Sequence, residues 1–324
     1  MPIIIDGDYI MKDLISVVTP VYGNKLLVEK LYKAILASMS KIDVDYEIIM
    51  VNDCCPYGSG EEIERLAKLD NKIKFIDLSR NFGQHMAIKA GIDNAKGDYI
   101  IVMDCDLQDN PEDIPRFYKK IKEGYDIVFG ERIARQDNIV KKLHSWAFRL
   151  LYKQLSDFYI EKKVGTYSMI TKEVASQISL INTKNFEYGG ALTYLGFKKA
   201  YIPIKKEERK IGTSGYNFYK GIKLALGSII QNSNKPLVFA VYCSFAMLIF
   251  SFIFVLKLVY DKISHHTTLM GWTSLMVSIF FIAGLLFAYL ALLGLYVGNI
   301  FQETKSRPVY TIKKKLNLKQ IIKK

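Results

Sequence analysis

Two long apolar runs near the C-terminus constrain the fold of this 324-residue chain more than any other feature. The first extends from about Leu237 to Tyr260 and is interrupted only by serines and Lys257. The second extends from about Trp272 to Phe301 and contains no charged residue. As a helix, each run is long enough to cross the hydrocarbon core of a bilayer, which is ~30 Å thick. The alternative, two buried helices of a soluble core, does not suit these lengths.

The distribution of basic residues predicts the orientation of the two spans. The chain has a formal net charge of +13, with six lysines between Lys313 and Lys324 and further Lys and Arg residues ahead of the first run. Positively charged flanks stay on the cytoplasmic side, so both ends are expected there. Residues 1–13 contain no apolar stretch typical of a signal peptide, which agrees with a cytosolic N-terminal part. A nucleic-acid partner is the rival explanation of the charge, but the charge clusters beside the apolar runs.

The first 130 residues alternate between strand and helix patterns. Strands are expected at residues 14–20, 46–51, 73–78, 98–103 and 125–129, and helices near residues 25–38, 61–69, 83–95 and 112–123. Further along, helices are expected at about 139–155 and 172–181, and short strands near 167–170 and 201–205. This alternation predicts right-handed βαβ crossovers and a mostly parallel sheet covered on both faces. The predicted fold class is therefore α/β, with a Rossmann-like domain.

The segment ahead of the first apolar run has a pattern of its own. Between Tyr216 and Ser233, aromatic or aliphatic residues alternate with lysines at helical spacing. An amphipathic helix on the membrane surface is favoured by its place beside a span, although an ordinary core helix has the same periodicity. The expected organisation is a cytoplasmic α/β domain of residues 1–215, a juxtamembrane helix of 216–235, a two-helix transmembrane domain of 236–301 and a basic cytoplasmic tail of 302–324.

One predicted strand ends in a pair of carboxylates. The apolar residues 100–103 lead directly into Asp104 and Asp106. Side chains repeat every two residues along a strand, so both carboxylates are expected to point the same way, at the end of the strand where ligands bind. Two such groups attract Mg²⁺ or Mn²⁺, which also accepts phosphate oxygens. The alternative is a surface turn with two solvated aspartates.

Polar residues also follow the first two predicted strands. Tyr22 follows the first strand, and Asn52 and Asp53 follow the second. Strand ends at one edge of a parallel sheet form one crevice, where Asp53 can accept a hydrogen bond from a base while Asp106 holds a metal on phosphates. The turn at residues 19–25 lacks Gly-x-Gly-x-x-Gly, and no Walker loop is present, so the sequence does not favour a dinucleotide or P-loop site.

In combination, these motifs resemble glycosyltransferase family 2, with a GT-A fold, and more narrowly the polyprenyl-phosphate glycosyltransferases related to dolichol-phosphate mannose synthase. The resemblance covers nearly the whole chain. The matching segments are Thr-Pro-Val-Tyr at 19–22, Val-Asn-Asp at 51–53, Leu-Ser-Arg-Asn-Phe-Gly at 78–83, Met-Asp-Cys-Asp-Leu-Gln-Asp at 103–109, Gly-Glu-Arg at 130–132, Arg-Lys-Ile-Gly-Thr-Ser-Gly-Tyr at 209–216, Gly-Leu-Tyr-Val-Gly at 294–298 and Lys-Ser-Arg-Pro-Val-Tyr at 305–310.

The resemblance implies roles at the nucleotide. Asp53 would contact the base together with Pro20 and Tyr22, and Asp104 would lie near the ribose and diphosphate. Asp106 would ligate Mg²⁺ or Mn²⁺. The implied catalytic residues are Asp104, Asp106, Gln108 and Arg132. Gln108 would lie beside the sugar or the acceptor phosphate.

The resemblance also implies a cationic site for a lipid phosphate, because the guanidinium fork pairs with phosphate oxygens. The residues implied are Arg132, Arg135, Lys142, Arg149, Arg209 and Ser214. For Arg135, Lys142 and Arg149, a solvated or headgroup-facing helix side is an equally good interpretation.

Two departures from the family pattern stand out. Where family members usually have Asp-Asp after the second strand, this chain has Asn52-Asp53 and keeps only the second carboxylate. Where they often have Gly-Asp-Phe-Arg, this chain has Gly-Thr-Tyr-Ser at 165–168. A carboxylate that could serve as base or anchor is therefore missing at Thr166. A phosphate acceptor is largely ionised at neutral pH, with a second pKa of about 6, and needs no base. The departure is also compatible with another donor sugar or a changed acceptor.

The activity implied is inverting, metal-dependent transfer of a sugar from a nucleotide diphosphate sugar, with a UDP-sugar favoured, to a polyprenyl phosphate such as undecaprenyl phosphate. The product would be a lipid-linked donor for envelope glycans. The expected location is the bacterial cytoplasmic membrane, with the protein crossing it more than once. A homo-oligomer, such as a tetramer, is compatible with the sequence. Alternatives are a silent nucleotide-sugar binder, a different acceptor, or a polysaccharide synthase, although neither Trp146 nor Trp272 lies in the Gln-x-x-Arg-Trp motif of such synthases.

Overall fold

The computed structural model describes most of the chain in two compact units. The described residues are 3–5, 8–10, 12–23, 25–132, 165–184, 186–204, 233, 235–265, 271–305 and 307–318. The first unit lies within Met1–Gln136, Ile160–Ser214 and Arg307–Lys324, and the second within Asp137–Tyr159 and Gly215–Ser306. The helices predicted at 139–155 and 216–233 fall outside the described residues, apart from Ser233.

The first unit contains the alternating elements that the sequence predicts. Its strands are β1 (Ile3–Ile5), β2 (Asp8–Ile10), β3 (Leu14–Val21), β4 (Asp45–Asn52), β5 (Ile73–Leu78), β6 (Tyr99–Val102), β7 (Ile127–Arg132), β8 (Ser168–Thr171), β9 (Lys199–Ile204) and β10 (Ile312–Leu316). Its helices are α1 (Lys25–Met39), α2 (Ser59–Leu69), α3 (Gln84–Ile92), α4 (Ile114–Ile121), α5 (Lys172–Leu180) and α6 (Tyr188–Tyr194), with a 3-10 turn at Pro111–Asp113.

Eight strands form one mixed sheet, in the order β10-β5-β4-β3-β6-β8-β7-β9. The pairs β3–β4, β3–β6, β4–β5 and β7–β9 are parallel. Strand β8 runs antiparallel to both β6 and β7. The α/β class with a mostly parallel sheet is therefore confirmed, and the carboxyl ends of β3, β4 and β6 meet at one edge of the sheet.

The central strands bury both faces, as parallel strands in α/β proteins do. Along β3, Ile15 and Val17 belong to one apolar cluster, while Val18 belongs to the other. Ile48 and Ile49 in β4 divide between the clusters in the same way. Successive side chains of a strand point to opposite faces, so the two clusters cover the two faces of the sheet. This packing holds the strand ends in fixed register.

Strand β6 is shorter than predicted, and this corrects one step of the sequence argument. The strand ends at Val102, so Asp104 and Asp106 lie in the loop that follows it. The alternation of side chains along a strand therefore does not decide where these two carboxylates point. The hydrogen bonds of the loop decide it instead.

The structure also differs from the sequence analysis at the C-terminus. Residues 302–324 are predicted to form a separate basic tail, but β10 within this segment pairs antiparallel with β5 at the edge of the sheet. Its lysines meet acids of the first unit: Lys314 Nζ lies 2.8 Å from Glu64 Oε2 and Lys313 Nζ lies 3.9 Å from Asp77 Oδ2. The tail thus completes the sheet of the first unit.

The second unit contains two long helices, α7 (Lys235–His265) and α8 (Trp272–Thr304). Each contains a segment long and apolar enough to cross a membrane, Lys235–Phe254 with a mean hydropathy of 2.5 and Phe281–Phe301 with a mean hydropathy of 2.1. Neither segment is buried within the protein, and large side chains such as Phe250 and Phe287 are exposed. An apolar surface of this extent is characteristic of a membrane-associated protein.

Candidate active site

The predicted nucleotide-binding residues follow the strands as the sequence indicates. Pro20 is buried near the end of β3, and Tyr22 directly after this strand is 51% exposed. Asp53 follows β4, and its backbone N–H donates to the Val21 carbonyl oxygen at 3.1 Å. The ends of β3 and β4 are therefore linked by the backbone, and the exposed ring of Tyr22 lies at this edge of the sheet.

Asp53 holds the segment that leads into α3. Its carboxylate accepts hydrogen bonds from the backbone N–H of Phe82 at 2.7 Å and from that of Gly83 at 2.8 Å. The residue is 3% exposed. Gly83 has φ +93°, a conformation that L side chains rarely adopt, so the turn requires glycine there. The predicted contact of Asp53 with a base stays a prediction, and the structure gives its carboxylate a second role that the sequence does not reveal.

Helix α3 starts at Gln84 and brings this side chain to the loop after β6. Gln84 Nε2 donates to Asp104 Oδ1 at 2.5 Å. Thr166 Oγ1 donates to the same oxygen at 3.2 Å. Asp104 is therefore held from α3 on one side and from the start of β8 on the other. The sequence analysis singled out Thr166 only because the family often has an acid at this position. It did not identify Gln84, which directly follows the matched motif at 78–83.

The loop that carries the two predicted catalytic aspartates is closed by its own hydrogen bonds. The backbone N–H of Asp104 donates to Asp109 Oδ2 at 3.2 Å, and that of Gln108 donates to Asp106 Oδ1 at 3.1 Å. Leu107 takes a positive φ of 60° between them. Asp109 and Gln108 are buried, whereas Asp104 and Asp106 are half-buried. The loop thus keeps the first two carboxylates nearer the surface than the third.

Two cysteines contact the segment that carries Tyr22. Cys55 Sγ lies 3.3 Å from the N–H of Gly23 and 3.4 Å from the N–H of Tyr57. Burial raises the pKa of Cys55, but hydrogen bonds from Ser59 and from these backbone groups outweigh it, so the pKa is lowered. Burial, aided by the nearby carboxylates, raises the pKa of Cys105 to about 11.

The rings of Tyr22 and Tyr57 meet edge to face, with centroids 6.5 Å apart.

The predicted acceptor-phosphate site lies mostly outside the described residues. Arg132 is the last residue of β7, where it pairs with Ile204 at the end of β9. The others, Arg135, Lys142, Arg149, Arg209 and Ser214, belong to segments that the structure does not describe. Their grouping around a phosphate stays a prediction.

One edge of the sheet therefore gathers an exposed aromatic ring, a buried carboxylate and a half-buried pair of aspartates. Hydrogen bonds connect them from Val21 through Asp53 and the Phe82–Gly83 turn to Gln84, Asp104 and Thr166. Oxygen acceptors beside an aromatic ring suit a nucleoside diphosphate with a hard divalent cation. Within the described residues, no group of three or more His, Cys, Asp or Glu side chains forms a metal cage.

Comparisons with known proteins show the family of the chain. The family model described as "Glycosyl transferase family 2" matches residues 16–190. The chain is 33% identical over 300 residues to "Uncharacterized glycosyltransferase YkcC" of Bacillus subtilis (strain 168), covering 92% of this chain and 93% of that protein. It is 32% identical to "Bactoprenol glucosyl transferase" of Shigella phage SfX, covering 92% of this chain and 98% of that protein.

Among solved structures, the fold is similar to that of glucosyl-3-phosphoglycerate synthase from Mycobacterium tuberculosis in complex with Mn²⁺, UDP and glucosyl-3-phosphoglycerate. That likeness has a TM-score of 0.46 and 14% identity, and covers 68% of this chain and 78% of the other. The family model spans more than half of the present chain, and the two relatives match nearly all of it. The chain therefore belongs to glycosyltransferase family 2, and it is a glycosyltransferase with the α/β fold that its motifs predict.

Proposed function

We propose that this glycosyltransferase moves a sugar from a nucleotide diphosphate sugar, with a UDP-sugar favoured, to a polyprenyl phosphate such as undecaprenyl phosphate. The observation that carries the proposal is the loop after β6, which presents Asp104 and Asp106 at the same edge of the sheet as Tyr22. Relatives named for bactoprenol glucosyl transfer support a polyprenyl acceptor. The two exposed apolar helices support a lipid substrate as well.

The donor set fits a divalent cation that arrives with the nucleotide. Mg²⁺ and Mn²⁺ sites often use one or two protein carboxylates and complete their coordination with substrate phosphates and water. Asp106 is the protein ligand in this proposal, since it is half-buried and its Oδ1 is oriented by the N–H of Gln108. When bound, such a cation neutralises charge that develops on the leaving diphosphate. The missing three-ligand cage among the described residues is compatible with this arrangement.

The protein groups then have positioning and electrostatic roles. Tyr22 packs on the base, Asp53 orders the turn at Phe82 and Gly83, and Asp104 accepts hydrogen bonds near the ribose and diphosphate. No general base is required, because the acceptor phosphate is largely ionised at neutral pH. Gln108 and Arg132 would orient the acceptor phosphate for attack on the anomeric carbon from the face opposite the leaving nucleotide. The expected outcome is inversion at that carbon.

The proposal places the protein in the bacterial cytoplasmic membrane. Helices α7 and α8 would cross the bilayer, with both ends of the chain on the cytoplasmic side. The support is the apolar surface of the helices and the excess of lysine and arginine beside them. The lipid-linked sugar would then serve a later transferase as a donor for envelope glycans.

The test is a donor screen on membranes that contain the protein. Undecaprenyl phosphate, Mn²⁺ and a panel of labelled UDP- and GDP-sugars are supplied, and label is measured in the lipid extract. We expect one sugar to enter the lipid phase, and we expect EDTA to prevent this. Binding of nucleotide sugars without any lipid product would contradict the proposal and favour a silent binder or another acceptor.

Asp106→Asn is the matched variant for the metal assignment. It keeps the size of the side chain and removes the charge, so we expect label transfer to fall by about a hundredfold with an unchanged melting temperature. Asp43→Asn is the control, because Asp43 is an exposed residue ahead of β4, at the opposite end of this strand from Asp53. Full activity of Asp106→Asn would contradict the assignment of Asp106 as the metal ligand.

A further inference from the structure

The carboxylate of Asp104 receives two neutral hydrogen-bond donors on one oxygen. Gln84 Nε2 lies 2.5 Å from Oδ1, and Thr166 Oγ1 lies 3.2 Å from the same atom. Two donors on one oxygen restrict the orientation of a carboxylate. We propose that Gln84 and Thr166 are positioning residues that hold the Asp104 carboxylate in the orientation that binds the nucleotide diphosphate.

The pairing of β6 with β8 explains why residue 166 comes near Asp104. The two strands are antiparallel, and their last pair is Val102 with Ser168. Asp104 leaves the end of β6 two residues after this pair, and Thr166 lies two residues before β8. The two loop residues therefore start from paired strand ends, and the hydrogen bond from Thr166 joins them.

This inference rests on the proposed function only in taking a nucleoside diphosphate as the ligand. It does not depend on the acceptor. Purified full-length protein in detergent is therefore titrated by calorimetry with UDP and with GDP, each in the presence of Mn²⁺ and without any lipid phosphate. If the protein transferred no sugar to a polyprenyl phosphate, only the proposed function would be contradicted, because the nucleotide titration contains no lipid acceptor.

Three variants separate orientation of Asp104 from simple packing. Thr166→Val keeps the shape of the side chain and removes the donor, and Gln84→Leu removes the amide. We expect each to weaken nucleotide affinity by about tenfold, the effect typical of losing a hydrogen bond to a charged group. Thr166→Ser restores the hydroxyl and is expected to bind like the wild type. The melting temperatures should remain within about 4 °C of the wild type.

Gln84→Glu gives a readout that a structural role alone would not produce. At pH 8, a second carboxylate beside Asp104 repels it, so affinity should fall further than in Gln84→Leu. A role of Gln84 in packing alone predicts equal affinity for the two variants, since both remove the same amide donor.

Two outcomes would overturn the inference. Wild-type affinity in both Thr166→Val and Gln84→Leu would show that the two donors do not position Asp104 for the nucleotide. Equal nucleotide affinity of Gln84→Glu and Gln84→Leu at pH 8 would show that a charge at residue 84 does not affect Asp104. If the wild type bound neither UDP nor GDP, both this inference and the proposed donor would fail.

Discussion

Tyr310 donates its hydroxyl hydrogen to Asp93 Oδ2 at 2.7 Å and so joins the segment after α8 to the end of α3. On its other oxygen, Asp93 meets Lys89 Nζ at 3.4 Å, and this ammonium group also donates to the carbonyls of Ile178 and Ser179 at the end of α5, each at 3.1 Å. Helix α3 is therefore anchored at its C-terminal end by the tail and by α5. Its first residue is Gln84, which contacts Asp104.

Tyr310→Phe tests the anchor from the tail. Burial raises the pKa of Tyr310, and the Asp93 carboxylate raises it further, so the hydroxyl remains a donor at every pH of interest. Its loss should lower the free energy of unfolding of the first unit by about 1 kcal/mol. Denaturant titration of the detergent-solubilised protein measures this. Tyr46→Phe is the control, because the ring of Tyr46 under Lys72 is retained. An equal effect in both variants would argue against the anchor.

Lys89→Met tests the buried ammonium group. Lys89 is fully buried, and its ammonium group donates to three oxygen acceptors. Methionine cannot donate, so the Asp93 carboxylate and the two carbonyls at the end of α5 each lose this hydrogen bond. Removing one partner of a buried charge pair costs about 3 kcal/mol or more, so the unfolding midpoint should fall clearly. Lys74→Met is the control, since Lys74 is half-buried on β5 and donates to the Asn71 carbonyl. A midpoint as little changed as that of the control would mean that Lys89 contributes no net stability.

Asp53→Asn separates the two roles of Asp53. The amide retains one acceptor oxygen, so one of the hydrogen bonds from Phe82 and Gly83 is lost. If the carboxylate orders this turn, the melting temperature of the nucleotide-free protein should fall, by the equivalent of about 1.5–3 kcal/mol. A variant with weaker nucleotide binding but the melting temperature of the wild type would support base contact as the only role.

The cysteines of the site should differ in their reactivity with pH. The thiolate is the reactive form, the pKa of Cys55 is lowered, and that of Cys105 is raised to about 11. In protein carrying Cys54→Ser and Cys243→Ser, alkylation should therefore modify Cys55 at lower pH than Cys105, which should react only as the pH approaches about 11. Mass spectrometry of peptides after timed exposure distinguishes the two sites. Equal rates at pH 8 would contradict the assigned hydrogen bonds of Cys55.

Local patterns predicted the strands well where apolar residues and turn residues coincide. Strand β5 has the predicted bounds, 73–78, because its apolar run ends at the polar residues after Leu78. The short helix α6 was not predicted, since it begins Tyr188-Gly189-Gly190 and is stabilised by the Glu187 side chain, which accepts from both glycine N–H groups. Strand β10 was not predicted either, because three consecutive lysines indicate a solvated tail, and only pairing with β5 makes this segment a strand.

The positions of the candidate residues relative to the strands were more predictable than their contacts. Tyr22, Asp53, Asp104 and Asp106 follow strands, as the sequence indicated. The contact between Gln84 and Asp104 depends on where α3 begins relative to a loop about twenty residues later, and no local pattern encodes that distance. The hydrogen bond from Thr166 depends on the antiparallel register of β8, which the sequence analysis did not anticipate.

The central claim is that a lipid phosphate, already ionised, accepts the sugar without a general base. The most direct measurement compares undecaprenyl phosphate with undecaprenol as acceptors for purified protein, using the sugar nucleotide selected in the donor screen and Mn²⁺. The account predicts that label enters the lipid phase with the phosphate and not with the alcohol. Transfer to the alcohol at a comparable rate, or no transfer to either lipid, would contradict it.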